Sequence, residues 1–326
     1  MLESFKKAIC RVLCLCCVFI GGGGGLMAEP NPEELFDLGV KSSEAKDFTQ
    51  AKKYFEKACN LNYGGGCGAL GDLYDDGKGV EKNLIKAAQL YTKACGLKDG
   101  DGCFNLGRLY YYGEGVEKDF KKALALFEKA CDLNNSGGCG SLGMLYEYGQ
   151  GVEKNLTKAA QFYSKACDLK DGRGCGSLGM LYENDQVVEK NLTKAAQFYS
   201  KACDLNNGLG CKDLGALYYY GEGVEKDLIK AAYLYSKACD LNNGWGCSFL
   251  GDLYRSGDGV KQDSIKAAQF YSKGCELNNS FGCGALGMLY EYGQGVEKNL
   301  TKAAQFYSKA CKLGSQKACE ILKELK

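Results

Sequence analysis

GGGCGALGDLYDDGKGVEKNLIKAAQLYTKACGLKD, residues 64–99, is one period of a pattern that returns every 36 residues along the chain. The cysteines mark the interval. Cys59, Cys95, Cys131, Cys167, Cys203, Cys239, Cys275 and Cys311 fall at steps of 36. Each is followed eight positions later by a second, giving Cys67, Cys103, Cys139, Cys175, Cys211, Cys247, Cys283 and Cys319. A period in the thirties is the signature of stacked supersecondary units, which lengthen by repetition instead of enlarging one core.

Inside the unit, Cys67, Leu70 and Tyr74 share one face of a first helix near 67–75. Gly77 and Gly79 end it by supplying left-handed conformations. Asn83 stands where a helix N-cap belongs, and Asp119, Asn155, Asn191, Asp227, Asp263 and Asn299 take its place in later units. A second helix carries Leu84, Ala87, Ala88, Tyr91, Ala94 and Cys95 at three- and four-residue steps. The pattern predicts an all-α superhelical solenoid. Gly71 recurs as Gly107, Gly143, Gly179, Gly215, Gly251 and Gly287. A helix-interior glycine costs about 1 kcal/mol relative to alanine, so its repetition implies close approach of a neighbouring helix.

The unit A-L-G-x-L-Y-x-x-G-x-G-V-x-K-N-x-x-K-A-A-x-x-Y-x-K-A-C resembles the Sel1-like repeat, the longer-looped relative of the tetratricopeptide repeat. Residues 29–63 resemble a tetratricopeptide unit, with Gly39, Ala51, Phe55 and Ala58 in its expected positions and an inter-helix loop four residues shorter. Seven 36-residue Sel1-like units are expected at 64–315, making about eight in all, with a C-terminal capping helix at 316–326. The paired cysteines and the leader make the chain similar to the Helicobacter cysteine-rich proteins.

Residues 1–28 have the form of a signal peptide: Lys6, Lys7 and Arg11, then an apolar Ile9–Ile20, then small residues up to Ala28. Export to the periplasm or the exterior is therefore expected, with no stable membrane anchor. Disulfides suit such a compartment. A tight turn between antiparallel helices favours joining each cysteine to its eight-residue partner; a within-unit bridge such as Cys67–Cys95 remains open on sequence alone.

Composition removes many functions. The 326 residues contain no histidine, which excludes Ser–His–Asp and Cys–His catalysis and histidine-bearing zinc sites. Outside the leader no C-x-x-C occurs, and no metal or cofactor is expected. The net charge of +1 leaves no basic footprint for nucleic acid. The glycine turns lack any G-x-x-x-x-G-K-[ST] phosphate loop. Asn155, Asn191 and Asn299 match glycosylation sequons, but capping explains them.

Some members of the cysteine-rich family are regarded as β-lactam-binding proteins or slow β-lactamases, and the resemblance implies that activity here. The matching motif is S-x-x-K, with S-D-N and K-T-G nearby in space. Ser43 and Lys46 form the only S-x-x-K after the leader, without either companion.

The tetratricopeptide resemblance implies a concave groove lined by the first helices, at one, four and five positions after the recurrent glycine. These are Asp72, Asp75 and Asp76; Arg108, Tyr111 and Tyr112; Met144, Glu147 and Tyr148; Met180, Glu183 and Asn184; Ala216, Tyr219 and Tyr220; Asp252, Arg255 and Ser256; and Met288, Glu291 and Tyr292. They vary between units whose packing positions scarcely change. Drift on a solvated face would look similar, but tyrosine, methionine and arginine are enriched in interfaces. The leading expectation is a scaffold that binds a peptide or protein, of host or cell-wall origin. A modest β-lactam hydrolase and a purely structural envelope protein are the alternatives. In the fifth unit Asp185 and Val187 replace the loop glycines, which predicts a different loop path and a bend in the solenoid.

Overall fold

The computed structural model describes residues 31–184 and 191–324. The leader, and Asp185 and Val187 with the bend expected of them, lie outside the described residues. All the described elements are α-helices. They pair as α1 (Pro32–Glu44) with α2 (Phe48–Asn60), α3 (Gly64–Asp76) with α4 (Leu84–Gly96), and α5 (Gly100–Tyr112) with α6 (Phe120–Asp132). Next come α7 (Ser136–Tyr148) with α8 (Leu156–Asp168), and α9 (Gly172–Glu183) with α10 (Leu192–Asp204). Then follow α11 (Gly208–Tyr220) with α12 (Leu228–Asp240), α13 (Gly244–Ser256) with α14 (Ser264–Glu276), and α15 (Ser280–Tyr292) with α16 (Leu300–Lys312). A final helix, α17 (Gln316–Glu324), packs against α16.

Each second helix packs on its own first helix and on the first helix of the next unit. First helices also touch along the row, as α3 does α5 and α13 does α15. They therefore form the inner side of the solenoid, and the second helices the outer.

The capping signals act as expected. The Asn83 side chain accepts from Lys86 N, Asp227 from Lys230 N and Asn299 from Lys302 N. Gly77 and Gly113 close their first helices in the left-handed region, at φ 71° and 77°. α9 is one residue shorter than its counterparts and ends at an extended Asn184. The first unit's turn has three residues, 45–47, against seven, 77–83, in the next.

Among the described residues, eight disulfides join every cysteine to its eight-residue partner, with Cα atoms 4.5–4.8 Å apart. Each links the end of one second helix to the first helix that follows, so the staples bind successive units together. Lysines add a second tie. Lys93 Nζ donates to the Cys59 carbonyl at 2.8 Å and Lys309 Nζ to that of Cys275 at 2.7 Å, placing positive charge at the C-terminal end of the preceding outer helix.

The recurrent glycine answers to a side chain. A Cβ on Gly71 would lie 2.6 Å from the Tyr91 ring, and one on Gly143 2.7 Å from that of Tyr163. The ring of the second helix lies flat across the first helix of its own unit, which any larger residue would block. A second tyrosine, three residues after the glycine, faces the other way. Lys86 Nζ sits 4.4 Å from the Tyr74 ring centre and Lys230 Nζ 4.1 Å from that of Tyr218, accounting for the Leu-Tyr and Lys-Ala-Ala elements of the repeat.

Candidate functional site

Because each buried tyrosine ring crosses over a glycine, its hydroxyl emerges on the inner surface. For Tyr91, Tyr163, Tyr199, Tyr271 and Tyr307 it there meets a carboxylate of the first helix. Tyr91 Oη donates to Asp72 Oδ1 at 2.7 Å, Tyr271 Oη to Asp252 Oδ1 at 2.6 Å and Tyr307 Oη to Glu291 Oε2 at 2.7 Å. Tyr163 and Tyr199 donate in the same way to Glu147 and Glu183. Burial first, and then the neighbouring carboxylate, push these phenols well above their usual range. They stay protonated and act as fixed donors. Phe55 and Phe127 fill the equivalent place without a hydroxyl.

Three hollows open on the inner surface among the described residues. The first, about 560 Å³, lies across α1, α3 and α5 and is lined by Phe36, Tyr63, Gly65, Gly68, Asp72, Asp99, Asp101 and Asn105. The second, about 250 Å³, spans α7 and α9 and includes Met144, Glu147, Tyr148, Tyr163, Arg173 and Met180. The third, about 500 Å³, runs over α13, α15 and α17, with Asp252, Arg255, Tyr271, Phe281, Met288, Glu291, Tyr292 and Ile321. Of the groove residues anticipated in the sequence, Asp72, Met144, Tyr148, Met180, Arg255, Met288 and Tyr292 line these hollows, whereas Arg108, Tyr111, Tyr112, Tyr219 and Tyr220 do not.

Several of those residues already have partners. Asp75 is buried and paired with Arg108, whose guanidinium also lies near the Tyr91 hydroxyl. Tyr111 and Tyr219 are half-buried and reach the loop of the next unit, Tyr111 donating to Gln150 Oε1 at 2.9 Å and Tyr219 to Asp258 Oδ2 at 3.4 Å. Tyr112, Tyr148, Tyr220, Tyr292 and Met180 are open to solvent. Arg255 donates to both Asp252 and the Tyr271 hydroxyl.

Asp72 is the most perturbed carboxyl of the groove. Partial loss of hydration first, then the charges of Asp76, Asp101 and Asp75, push it up to about 6, against the lowering effect of the Tyr91 hydrogen bond. Its surface nonetheless stays open to solvent.

The sequence reading missed a second set of lining positions, six, three and two residues before the glycine. They include Asp101, Phe104, Arg173, Lys212, Asp213, Trp245, Phe249 and Phe281, and vary as freely between units as the positions that were singled out. That variation was the available signal. Over both sets the groove carries nine carboxylates against four basic side chains.

Ser43 lies in the last turn of α1 and is half-buried, while Lys46 is exposed in the α1–α2 turn at φ 62°. Lys46 N donates to the Ser43 carbonyl at 2.9 Å, but no hydrogen bond joins the two side chains. Neither residue lines a hollow of the inner surface. Among the described residues no cluster of potential metal ligands occurs, and no helix is long and apolar enough to cross a membrane.

An all-helical, disulfide-stapled array with an inner row of variable side chains defines a repeat scaffold of the kind that engages other proteins. The Sel1 repeat model matches residues 36–63, 66–99, 100–135, 138–171, 174–207, 209–243, 246–279 and 280–315, and the chain belongs to the Sel1 repeat family. Its first unit is matched by the same description as the others. Among solved structures it is similar to c5321, a protective antigen of uropathogenic Escherichia coli. The TM-score is 0.72 and the identity 30%, covering 90% of this chain and 64% of the other. A Sel1 repeat protein from Oxalobacter formigenes superposes with TM-score 0.70 at 29% identity, covering 76% of this chain and 99% of that one. Two Helicobacter pylori proteins match a shorter stretch. HcpC, provisionally named a β-lactamase, is 59% identical over 86 residues, or 26% of this chain and 29% of its own. The β-lactamase HcpA is 51% identical over 86 residues, or 26% of this chain and 33% of its own. The matched stretch spans a third or less of either protein.

Proposed function

We propose that this protein is a secreted or periplasmic scaffold that binds an extended peptide, or an unfolded segment of a partner protein, along its concave inner surface. One observation carries the reading: on a frame that repeats almost residue for residue, the side chains that change from unit to unit are those lining the hollows of the first helices. The eight disulfides support an oxidising compartment. Tyrosine hydroxyls held by carboxylates, with exposed tyrosine and methionine between them, suit a ligand offering backbone amides and apolar side chains. Peptides selected by display on the oxidised protein should bind at least tenfold more weakly to a Tyr148→Ala/Met180→Ala variant, with the unfolding midpoint unchanged. Equal affinity for the variant would remove the groove from consideration.

The names of HcpA and HcpC bring a second reading, slow hydrolysis of β-lactams. The position of Ser43 gives it no support, since it lines none of the hollows and shares no side-chain hydrogen bond with Lys46. The expected result with a chromogenic cephalosporin is no turnover above that of a heat-treated control, and no difference between the native protein and Ser43→Ala. Turnover that copurifies with the protein and is lost in the variant would restore the catalytic reading.

A further inference from the structure

The two ends of the groove differ in chemistry. At the N-terminal end, Asp72, Asp99 and Asp101 line one hollow whose floor is glycine and whose wall is Phe36 and Tyr63. Lys98 is the one basic side chain lining it, because nearby Arg108 is held by Asp75. At the C-terminal end the surface is aromatic. Trp245 and Phe281 stack at 6.2 Å between ring centres, with Phe249 5.6 Å from Trp245. Trp245 is 46% and Phe281 38% exposed, so both rings stand open next to a hollow that also contains Met288 and Ile321. The hollow's rim also carries Asp252, Glu291 and Glu324, but Arg255 and Lys317 stand among them, and an exposed aromatic cluster at such a site marks a contact surface more than a solvated face.

Resting on the peptide-binding reading above, we infer that the groove is bipartite and selects a peptide with lysine or arginine side chains for the α3–α5 end and large apolar side chains for the α13–α15 end. Charge complementarity sets the first half. The carboxylates there crowd one another without enough cations to balance them, and an incoming ammonium or guanidinium with an aromatic wall beside it relieves that repulsion. Loss of hydration first, and this crowding second, raise the titration of Asp72. The open rings set the second half. First helices packed about 10 Å apart place the two ends on the order of 50 Å apart, which about 15 extended residues would bridge.

The chain contains a single tryptophan, so Trp245 itself reports on the aromatic end. The probe is a tryptophan-free peptide of about 18 residues with lysines clustered at one end and phenylalanine and leucine at the other. It is compared with a counterpart bearing glutamate for lysine and a neutral one bearing serine. The lysine peptide should shift Trp245 emission to the blue, and the glutamate and serine peptides should bind at least tenfold more weakly. Asp72→Asn/Asp101→Asn should weaken the lysine peptide at least tenfold while leaving the neutral peptide unaffected, and Phe281→Ala should weaken all three. These side chains are exposed, and circular dichroism of each variant checks the fold. Equal binding of the three peptides overturns the inference. So does failure of the lysine peptide while display-selected peptides still bind, which leaves the groove reading intact. If the display-selected peptides fail as well, the groove reading falls with it.

Discussion

Reduction of the eight disulfides should lower the unfolding midpoint by more than about 20 °C and leave little helical circular dichroism at 37 °C. Closing a loop of about eight residues stabilises by roughly 2.5 kcal/mol in the chain-entropy view. Eight such closures amount to about 20 kcal/mol, above the roughly 5–15 kcal/mol net stability of a typical domain. The geometry sharpens the expectation. Every staple spans a boundary between units, and a solenoid depends on its nearest-neighbour interfaces because isolated helix pairs bury too little. Fourteen of the sulfurs' residues are buried, whereas Cys311 and Cys319 are only partly so. Graded reduction with alkylation and mass spectrometry should therefore open Cys311–Cys319 first, freeing α17, before the interior staples yield together. A reduced chain that melts within a few degrees of the oxidised one would show that packing alone holds the array.

The staples leave the inner surface free to vary. Core positions such as Ala87, Tyr91 and Leu109 are fully buried, and each unit's frame is fixed by glycine, alanine and disulfide. Met180 and Trp245, by contrast, are exposed and belong to none of these frame positions. Such separation of frame from surface lets one architecture present different ligand chemistry along its length, here acidic at one end and aromatic at the other.

Much of this was legible in the sequence, for identifiable reasons. The 36-residue interval, the helix pairs, the capping asparagines and the eight-residue cysteine pairs depend on local spacing, which one repeat is enough to display. The part played by Tyr91 and its counterparts was not. Periodicity marks Tyr91 as an inward-facing residue of the second helix and says nothing of where the far end of a long side chain emerges. Only the crossing over Gly71 shows that its hydroxyl reaches Asp72. Trp245 and Phe281 were passed over for a different reason. The groove positions were carried over from the tetratricopeptide pattern after the glycine, while half of the inner face lies before it. Asp75 and Arg108 were expected as ligand-facing residues, but their pairing across units depends on the register of stacking, which no single unit encodes.

The loop glycines test how units are fitted to one another. Gly259 has φ 70°, and a Cβ there would lie 2.3 Å from the carbonyl oxygen of Leu228, at the start of the preceding outer helix. Two penalties combine in Gly259→Ala. The left-handed conformation costs an alanine about 1 kcal/mol, and overpacking against backbone, which cannot swing aside as a side chain would, costs about 1–3 kcal/mol. The expected loss is about 3 kcal/mol, located at the junction of α12 with the α13–α14 loop. It should appear in urea unfolding as a lower midpoint and a broadened transition, because the two sides of the junction no longer unfold as one. Gly96→Ala is the matched control. Gly96 ends α4 with nothing within 4 Å of a new Cβ and an ordinary helical backbone. That substitution should raise stability by about 0.5–1 kcal/mol, through the smaller conformational freedom of the unfolded chain. Opposite signs for two glycine-to-alanine changes would establish that the loop glycine holds units in contact. A loss of less than 1 kcal/mol at Gly259 would mean that the loop can lift away from Leu228, and that the disulfides carry the junction.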